Sequence, residues 1–298
     1  MDRNKVLILR EADKESDMFY NGWLEAGFNV DKIFKPVNIV FRAIRRKWLM
    51  NNWPCSGFWF GKWLNELDKY ELVIIHMSRL TRYLPKLIVD LYPDIKVIGW
   101  YWNTINKESE PIDFKNSHIS YWSFDKKDCE KYHLKHNIQY YACPKETSHL
   151  TNTQDVYFVG REKGRKDKIN ELKAVFDKNG ISYKLNVIYD DKDYIAYRDV
   201  QNEIRQSKAI LEINKKDQEG FSLRVLESLF FGVKLITDNK AIINSPIYNK
   251  ENIFVLGVDG FAELKEFINS PYNHETNRYQ KDYSLDTWFN NFVEDNGK

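Results

Sequence analysis

Only three cysteines occur in the 298 residues, Cys55, Cys129 and Cys143, widely spaced and odd in number. With no CxxC pair, a zinc knuckle and a disulfide framework are both disfavoured, which fits a reducing compartment. No apolar run reaches the roughly 18 residues that a membrane-spanning helix needs. The first residues run straight into a short strand-like segment without the long apolar stretch of a secretory leader, so a cytoplasmic location is expected. An excess of one charge is missing as well: 45 basic against 43 acidic residues leave a net +2. That balance argues against a nucleic-acid coat, and no nucleic-acid partner is expected. Low-complexity and disordered composition are both absent.

What remains is the composition of a folded protein, 43% hydrophobic and 30% charged. The length suits two domains of about 150 residues each. Aromatic residues reach 15%, with 9 Trp, 18 Tyr and 18 Phe. They serve as packing or as platforms for sugar rings, and composition alone favours packing. Short apolar runs alternate with amphipathic stretches. Residues 6–9, 72–75, 96–100, 119–124 and 138–141 read as buried strands, with helical patterns over 19–26, 83–92 and 126–133. A polar, aperiodic stretch over 144–154 marks a boundary. Beyond it the alternation restarts, with strands over 156–159, 183–188, 209–213, 233–237 and 253–256 and helices over 166–178, 194–206, 222–231 and 261–268. Such alternation implies parallel βαβ units. The expected architecture is α/β, with two tandem Rossmann-like domains facing across a cleft. They are an N-terminal domain over 1–148 and a C-terminal domain over 149–284. A terminal helix, 285–298, is expected to pack back on the first.

One segment carries most of the chemistry: Glu219-Gly220-Phe221-Ser222-Leu223-Arg224-Val225-Leu226-Glu227-Ser228-Leu229-Phe230-Phe231-Gly232-Val233-Lys234-Leu235-Ile236-Thr237. Gly220 permits a tight turn and close backbone approach to a ligand. Ser222 suits the N-cap of the following helix, whose free N–H groups and partial positive charge suit a diphosphate. Gly232 suits its C-terminal stop. Glu219 precedes the helix and Glu227 lies inside it, so two carboxylates flank an anion site, and carboxylates accept well from vicinal hydroxyls. An ordinary loop–helix–strand unit is the competing reading.

This segment resembles the E-x7-E donor-site motif of GT-B glycosyltransferases, especially the large retaining family with an EGFG-type loop. The match is close over about 19 residues and weak elsewhere. The resemblance implies that Glu219 contacts the donor sugar. It further implies that Gly220, Phe221 and Ser222 offer backbone to the phosphates and that Glu227 holds the ribose. Phe158-Val159-Gly160-Arg161-Glu162-Lys163-Gly164-Arg165 is similar to the Val-Gly-Arg…Lys-Gly turn of the same family, where basic residues neutralise the leaving diphosphate. Arg161, Lys163 and Arg165 are therefore phosphate candidates, or else solvated loop charges. His76, ending a strand of the first half, stands where such enzymes often carry a His against sugar or acceptor; a structural His is the alternative. Arg79 and Asn103 occupy similar loops, and Glu11 and Asp13 offer an acceptor base.

The departures are a short first half and Arg10-Glu11-Ala12-Asp13 where a glycine-rich loop often stands. Asp190-Asp191-Lys192-Asp193 reads as a loop, and neither a metal nor a cofactor is expected. Residues 37–53 mix Phe41, Trp48 and Trp53 with Arg42, Arg45, Arg46 and Lys47, either a membrane-surface helix or one packed on the core. The resemblance implies transfer of a sugar from a nucleoside-diphosphate donor, UDP foremost, to a glycan or lipid-linked acceptor. The products would be surface polysaccharides such as capsule or lipopolysaccharide. The alternatives are a non-catalytic nucleotide-sugar-binding subunit, a sugar-nucleotide epimerase and a polyol-phosphate transferase.

Overall fold

The computed structural model describes residues 1–11, 17–53, 57–142, 147–214 and 220–294. The side chains of residues 17–19 and 191 lie outside this description. The expected candidates Glu219 and Asp13 fall outside the described residues, as do Cys55 and Cys143. The chain divides into two units, Met1–Ile138 with Asn291–Lys298, and Gln139–Asn290.

In the first unit the elements run β1 (Val6–Arg10), α1 (Asp17–Glu25), β2 (Asn29–Lys32), α2 (Ile39–Met50), β3 (Leu72–His76), α3 (Leu84–Leu91), β4 (Lys96–Tyr101), β5 (Ile119–Ser123), α4 (Lys126–Tyr132) and β6 (Lys135–His136). The sheet is parallel throughout, in the order β2-β1-β3-β4-β5-β6. Every residue of β1 and β3 is buried, which explains their unbroken apolar runs: a parallel strand covered on both faces has no polar side to alternate with. Leu7, Leu9, Val73, Ile75 and Val97 pack with Leu84 and Ile88 of α3 on one face. Phe292, in the terminal residues assigned to this unit, sets its ring edge-on to Trp122 at 5.0 Å and Trp100 at 5.9 Å.

The second unit repeats the plan with β7 (Gln154–Arg161), α5 (Lys166–Asn179), β8 (Tyr183–Ile188), α6 (Tyr197–Arg205), β9 (Ser207–Glu212), α7 (Leu223–Phe231), β10 (Lys234–Thr237), β11 (Ile253–Val255) and α8 (Leu264–Asn269). Its parallel sheet has the order β11-β10-β9-β7-β8. Val156, Phe158, Ala209, Leu211 and Ile236 form its core with Leu172 and Phe176 of α5. Helix α9 (Leu285–Glu294) begins in this unit, where Trp288 is wholly buried against Tyr140 at 4.4 Å.

Two expectations need correction. Residues 138–141 form no strand, and the sixth strand is Lys135–His136, paired with Trp122 and Ser123. The apolar character at Tyr140 and Tyr141 reflects aromatic packing, on Trp288 and on Phe230 and Phe231 respectively. The helix expected over 37–53 is shorter, capped by the Asn38 side chain accepting from the Phe41 amide at 3.0 Å.

The two sheets share one order over their first five strands, so each chain half reverses direction across its sheet at the same place, between β1 and β3 and between β7 and β9. Open α/β sheets bind ligands at the carboxyl ends of the strands flanking that reversal. Those ends are Arg10 and His76 in one unit and Arg161 and Glu212 in the other.

Candidate functional site

In the second unit, helix α7 starts directly beyond the carboxyl end of β9. Ser222 has extended backbone and its hydroxyl accepts from the Arg224 amide at 3.1 Å, so it is the N-cap the sequence indicated. The same hydroxyl donates to Glu212, and Thr237 Oγ1 donates to the other oxygen of that carboxylate. Glu212 thus ties together the ends of β9, α7 and β10. It is 2% exposed, and burial raises its pKa while the two hydroxyls oppose the shift. Beside it, Asp238 accepts from the Asn214 amide at 2.9 Å, and burial raises its pKa too. At the far end of α7, Gly232 takes the left-handed conformation at φ 63°, where a side chain would be strained.

Glu227 is wholly buried, and both its oxygens are engaged. Arg224, one turn earlier, donates from Nη1 to one of them. Tyr197 donates to the other at 2.5 Å, and the Tyr141 hydroxyl lies 2.9 Å from that of Tyr197. Arg224 also donates from Nη2 to the Val159 carbonyl at 3.1 Å, which anchors α7 to the end of β7. Burial works against the Arg224 charge, but the Glu227 carboxylate outweighs it and raises the pKa.

The loop after β7 is organised by Glu162, whose carboxylate accepts from the amides of Gly164 and Lys166, each at 3.1 Å. These bonds hold its pKa low and occupy the N-terminal end of α5. Of the three predicted cations, Arg161 and Lys163 are exposed and Arg165 is half-buried. Arg165 donates to the Arg161 carbonyl at 2.9 Å. Burial lowers its proton affinity, Asp238 and Glu212 oppose the shift and Arg224 adds to it, so its guanidinium lies within electrostatic range of those groups. Gly160 leaves the space: a Cβ there would stand 2.9 Å from Phe158 Cζ and 3.4 Å from Arg165 Nη1. The Phe221 ring lies 5.7 Å from that of Tyr283, and Gly220 is half-buried beside it.

In the first unit His76 is 5% exposed, between Trp23 at 5.0 Å and Trp102 at 5.5 Å. Neither ring nitrogen has a hydrogen-bond partner among the described residues. Burial, reinforced by the charge of Arg10, holds its pKa well below the usual value, so the imidazole is neutral at pH 7. Arg10 itself lies 5.0 Å from the Trp23 ring. Ser78, two residues beyond the strand, donates to Glu11. Arg79 pairs with Glu108 at 2.8 Å.

Sequence reasoning therefore located α7, its cap and the basic loop, but missed Glu212, Arg224, Tyr197 and Asp238. Signals existed for two. Glu212 ends the apolar run Ala209-Ile210-Leu211 with a carboxylate, at a strand end. Arg224 sits in the first turn of a helix, where the dipole favours acids.

No family model matches the chain, and no curated relative matches it. Among solved structures it is similar to a sucrose-phosphate synthase from Thermosynechococcus elongatus, with a TM-score of 0.56 and 9% identity over 97% of this chain and 98% of that one. It is also similar to MurG from Acinetobacter baumannii, with a TM-score of 0.44 and 10% identity over 94% and 96% of the two chains. At this identity the first likeness speaks to the fold. With the two strand orders, it supports a fold of two tandem Rossmann-like units.

Proposed function

We propose that this chain is a glycosyltransferase moving a sugar from a nucleoside-diphosphate donor, UDP foremost, to a glycan or lipid-linked acceptor of surface polysaccharide synthesis. The observation that carries the reading is the second unit's strand reversal, where the capped start of α7, Arg165 and Arg224 gather positive charge. A diphosphate is the ligand such a place suits. Backbone from Gly220 to Ser222 then cradles the phosphates, with Arg161, Lys163 and Arg165 supplying countercharge as the sugar–phosphate bond breaks. Glu219 is assigned to the donor sugar and Glu227 to the ribose. His76, neutral and flanked by two indoles, is assigned to sugar or acceptor hydroxyls. The resemblance favours retention at the anomeric carbon.

A membrane-facing role for α2 is part of the proposal. Ile39, Val40, Phe41, Ile44 and Met50 are all exposed on it. No acidic residue occurs between Asp31 and Glu66, whereas Lys32, Lys35, Arg42, Arg45, Arg46, Lys47 and Lys62 do. Exposed apolar side chains amid a run of cations, one of which, Arg45, feels the carboxylate of Glu11, suit an anionic lipid surface, where a lipid-linked acceptor resides. Among the described residues no helix is long and apolar enough to cross a membrane.

The test is a thermal-shift screen of UDP-, GDP-, dTDP- and CDP-sugars, followed by a transfer assay with the donor that binds. A selective rise in Tm and sugar transfer to an acceptor support the proposal. Binding without transfer or donor isomerisation supports a nucleotide-sugar-binding subunit. Isomerisation of the donor supports an epimerase, and no shift with any donor overturns the reading.

A further inference from the structure

The pairing at Glu227 poses a problem for ribose binding. Its carboxylate is wholly buried, with Arg224 on one oxygen and Tyr197 on the other. Of the two partners of the ion pair, only Arg224 reaches solvent: its side chain is 19% exposed against 0% for Glu227. Arg224 is also in an unfavourable place for a cation. It is the second residue of α7, where the helix dipole presents positive charge, and a second guanidinium, Arg165, lies near enough to repel it. Arg165 has a buried Nε without a hydrogen-bond partner among the described residues. The arrangement thus gathers two guanidinium groups and a helix amino end, and the carboxylate that offsets them lies deeper in the unit.

We propose that Arg224 changes partners when donor binds, leaving Glu227 for the diphosphate and so opening one Glu227 oxygen to the ribose diol. This rests on reading the second unit as a nucleotide-sugar site. Tyr197 stays on the other oxygen, so the carboxylate is never stripped of all its partners. A buried charge that loses its partner is strongly destabilised, so neither half of the exchange proceeds well alone. Phosphate and ribose therefore bind cooperatively, each lowering the cost of admitting the other. The device also discriminates: a nucleoside lacking the phosphates meets a carboxylate still held by Arg224, and a phosphate compound lacking the diol leaves Glu227 half-satisfied.

The experiment titrates the full chain with uridine, with inorganic pyrophosphate and with UDP by calorimetry, and repeats the uridine titration at saturating pyrophosphate. Exchange predicts that pyrophosphate tightens uridine binding at least fivefold in the native protein. In Arg224→Met, pyrophosphate binding weakens about tenfold or more, and the coupling factor falls to about one. In Glu227→Gln the releases are reversed: pyrophosphate binds as well as before or better, and uridine binds more weakly. A fixed structural ion pair gives a different pattern, with no coupling in the native protein and both variants losing both ligands together. Either of those results overturns the exchange. If one variant fails to fold, the native coupling and the other variant still decide. UDP binding without coupling removes the exchange alone, whereas native protein that binds none of the three removes the donor-site reading along with it.

Discussion

Replacing Ser222 with alanine removes one hydroxyl that performs two tasks. It caps α7 by accepting from the Arg224 amide, and it donates to the buried carboxylate of Glu212. Losing an N-cap costs about 1 kcal/mol. Leaving a buried acceptor unsatisfied costs a further 1–3 kcal/mol or so, and Glu212, at 2% exposure, has little water to turn to. The sum is about 2–4 kcal/mol, and at roughly 2–4 °C per kcal/mol for a unit of this size the Tm falls by on the order of 10 °C. Two controls divide the effect. Ser222→Gly keeps a tolerated capping residue, which costs only a few tenths of a kcal/mol as a cap, but still strands Glu212, so its loss reports the carboxylate. In a Glu212→Gln background the stranded group is uncharged, and Ser222→Ala should cost little beyond the cap. Calorimetric unfolding of the four proteins in the cycle, native, both single variants and the double, measures the coupling directly. A coupling near zero, or a total loss below about 0.5 kcal/mol, refutes the idea that Ser222 anchors Glu212.

Three further outcomes are expected. Because burial and Arg10 depress the His76 pKa below 6.5, the folded protein binds fewer protons than the unfolded chain under acid conditions. Its contribution is complete above about pH 6.5 and is lost as pH falls from there toward the folded value, so His76→Phe should flatten the acid limb of the Tm–pH curve. Ile44→Glu on the exposed face of α2 should reduce co-sedimentation with phosphatidylglycerol vesicles by about tenfold or more, and raised salt should weaken the native binding as well. Gly232→Ala should cost about 1 kcal/mol in urea denaturation: the φ of 63° is the sole objection, since a Cβ there would meet nothing nearer than His274 Cε1 at 3.5 Å.

Most strands were legible because parallel strands covered on both faces spell uninterrupted apolar runs, as in Val6-Leu7-Ile8-Leu9 and Leu72-Val73-Ile74-Ile75. Strand β2 was not, because an edge strand spelled Asn-Val-Asp-Lys needs no apolar run to pair. Tyr140 and Tyr141 misled in the opposite sense, since aromatic residues that pack on helices carry the same signal as a strand. Helix α7 was legible at both ends, because a serine cap and a left-handed glycine are local chemistry. The partners inside the site were not. That Glu227 would face Tyr197, or His76 would stand between Trp23 and Trp102, depends on side chains far apart in sequence meeting in space, and spacing within one segment carries no record of that.

The two reversal points share strand order but differ in chemistry, and the difference divides the labour of the proposed reaction. At the first, His76 is uncharged and walled by indoles, with Arg10 stacked near one of them. A neutral imidazole exchanges hydrogen bonds with hydroxyls without demanding a counter-ion, and the half-buried indole of Trp102 can accept the C–H face of a sugar ring, Trp23 being wholly buried. At the second, Arg165 and Arg224 meet the start of α7 with Glu212 and Glu227 behind them. That arrangement would hold a carbohydrate hydroxyl poorly but stabilises a polyanion. Had both ends been cationic, two phosphate-bearing ligands would be the better reading; had both been neutral, no diphosphate would be. One anion-seeking end and one hydroxyl-seeking end fit an activated sugar on one unit and a polyol acceptor on the other. Exchanging the character of one end, by His76→Arg or by Arg165→Met, should therefore impair acceptor or donor use separately.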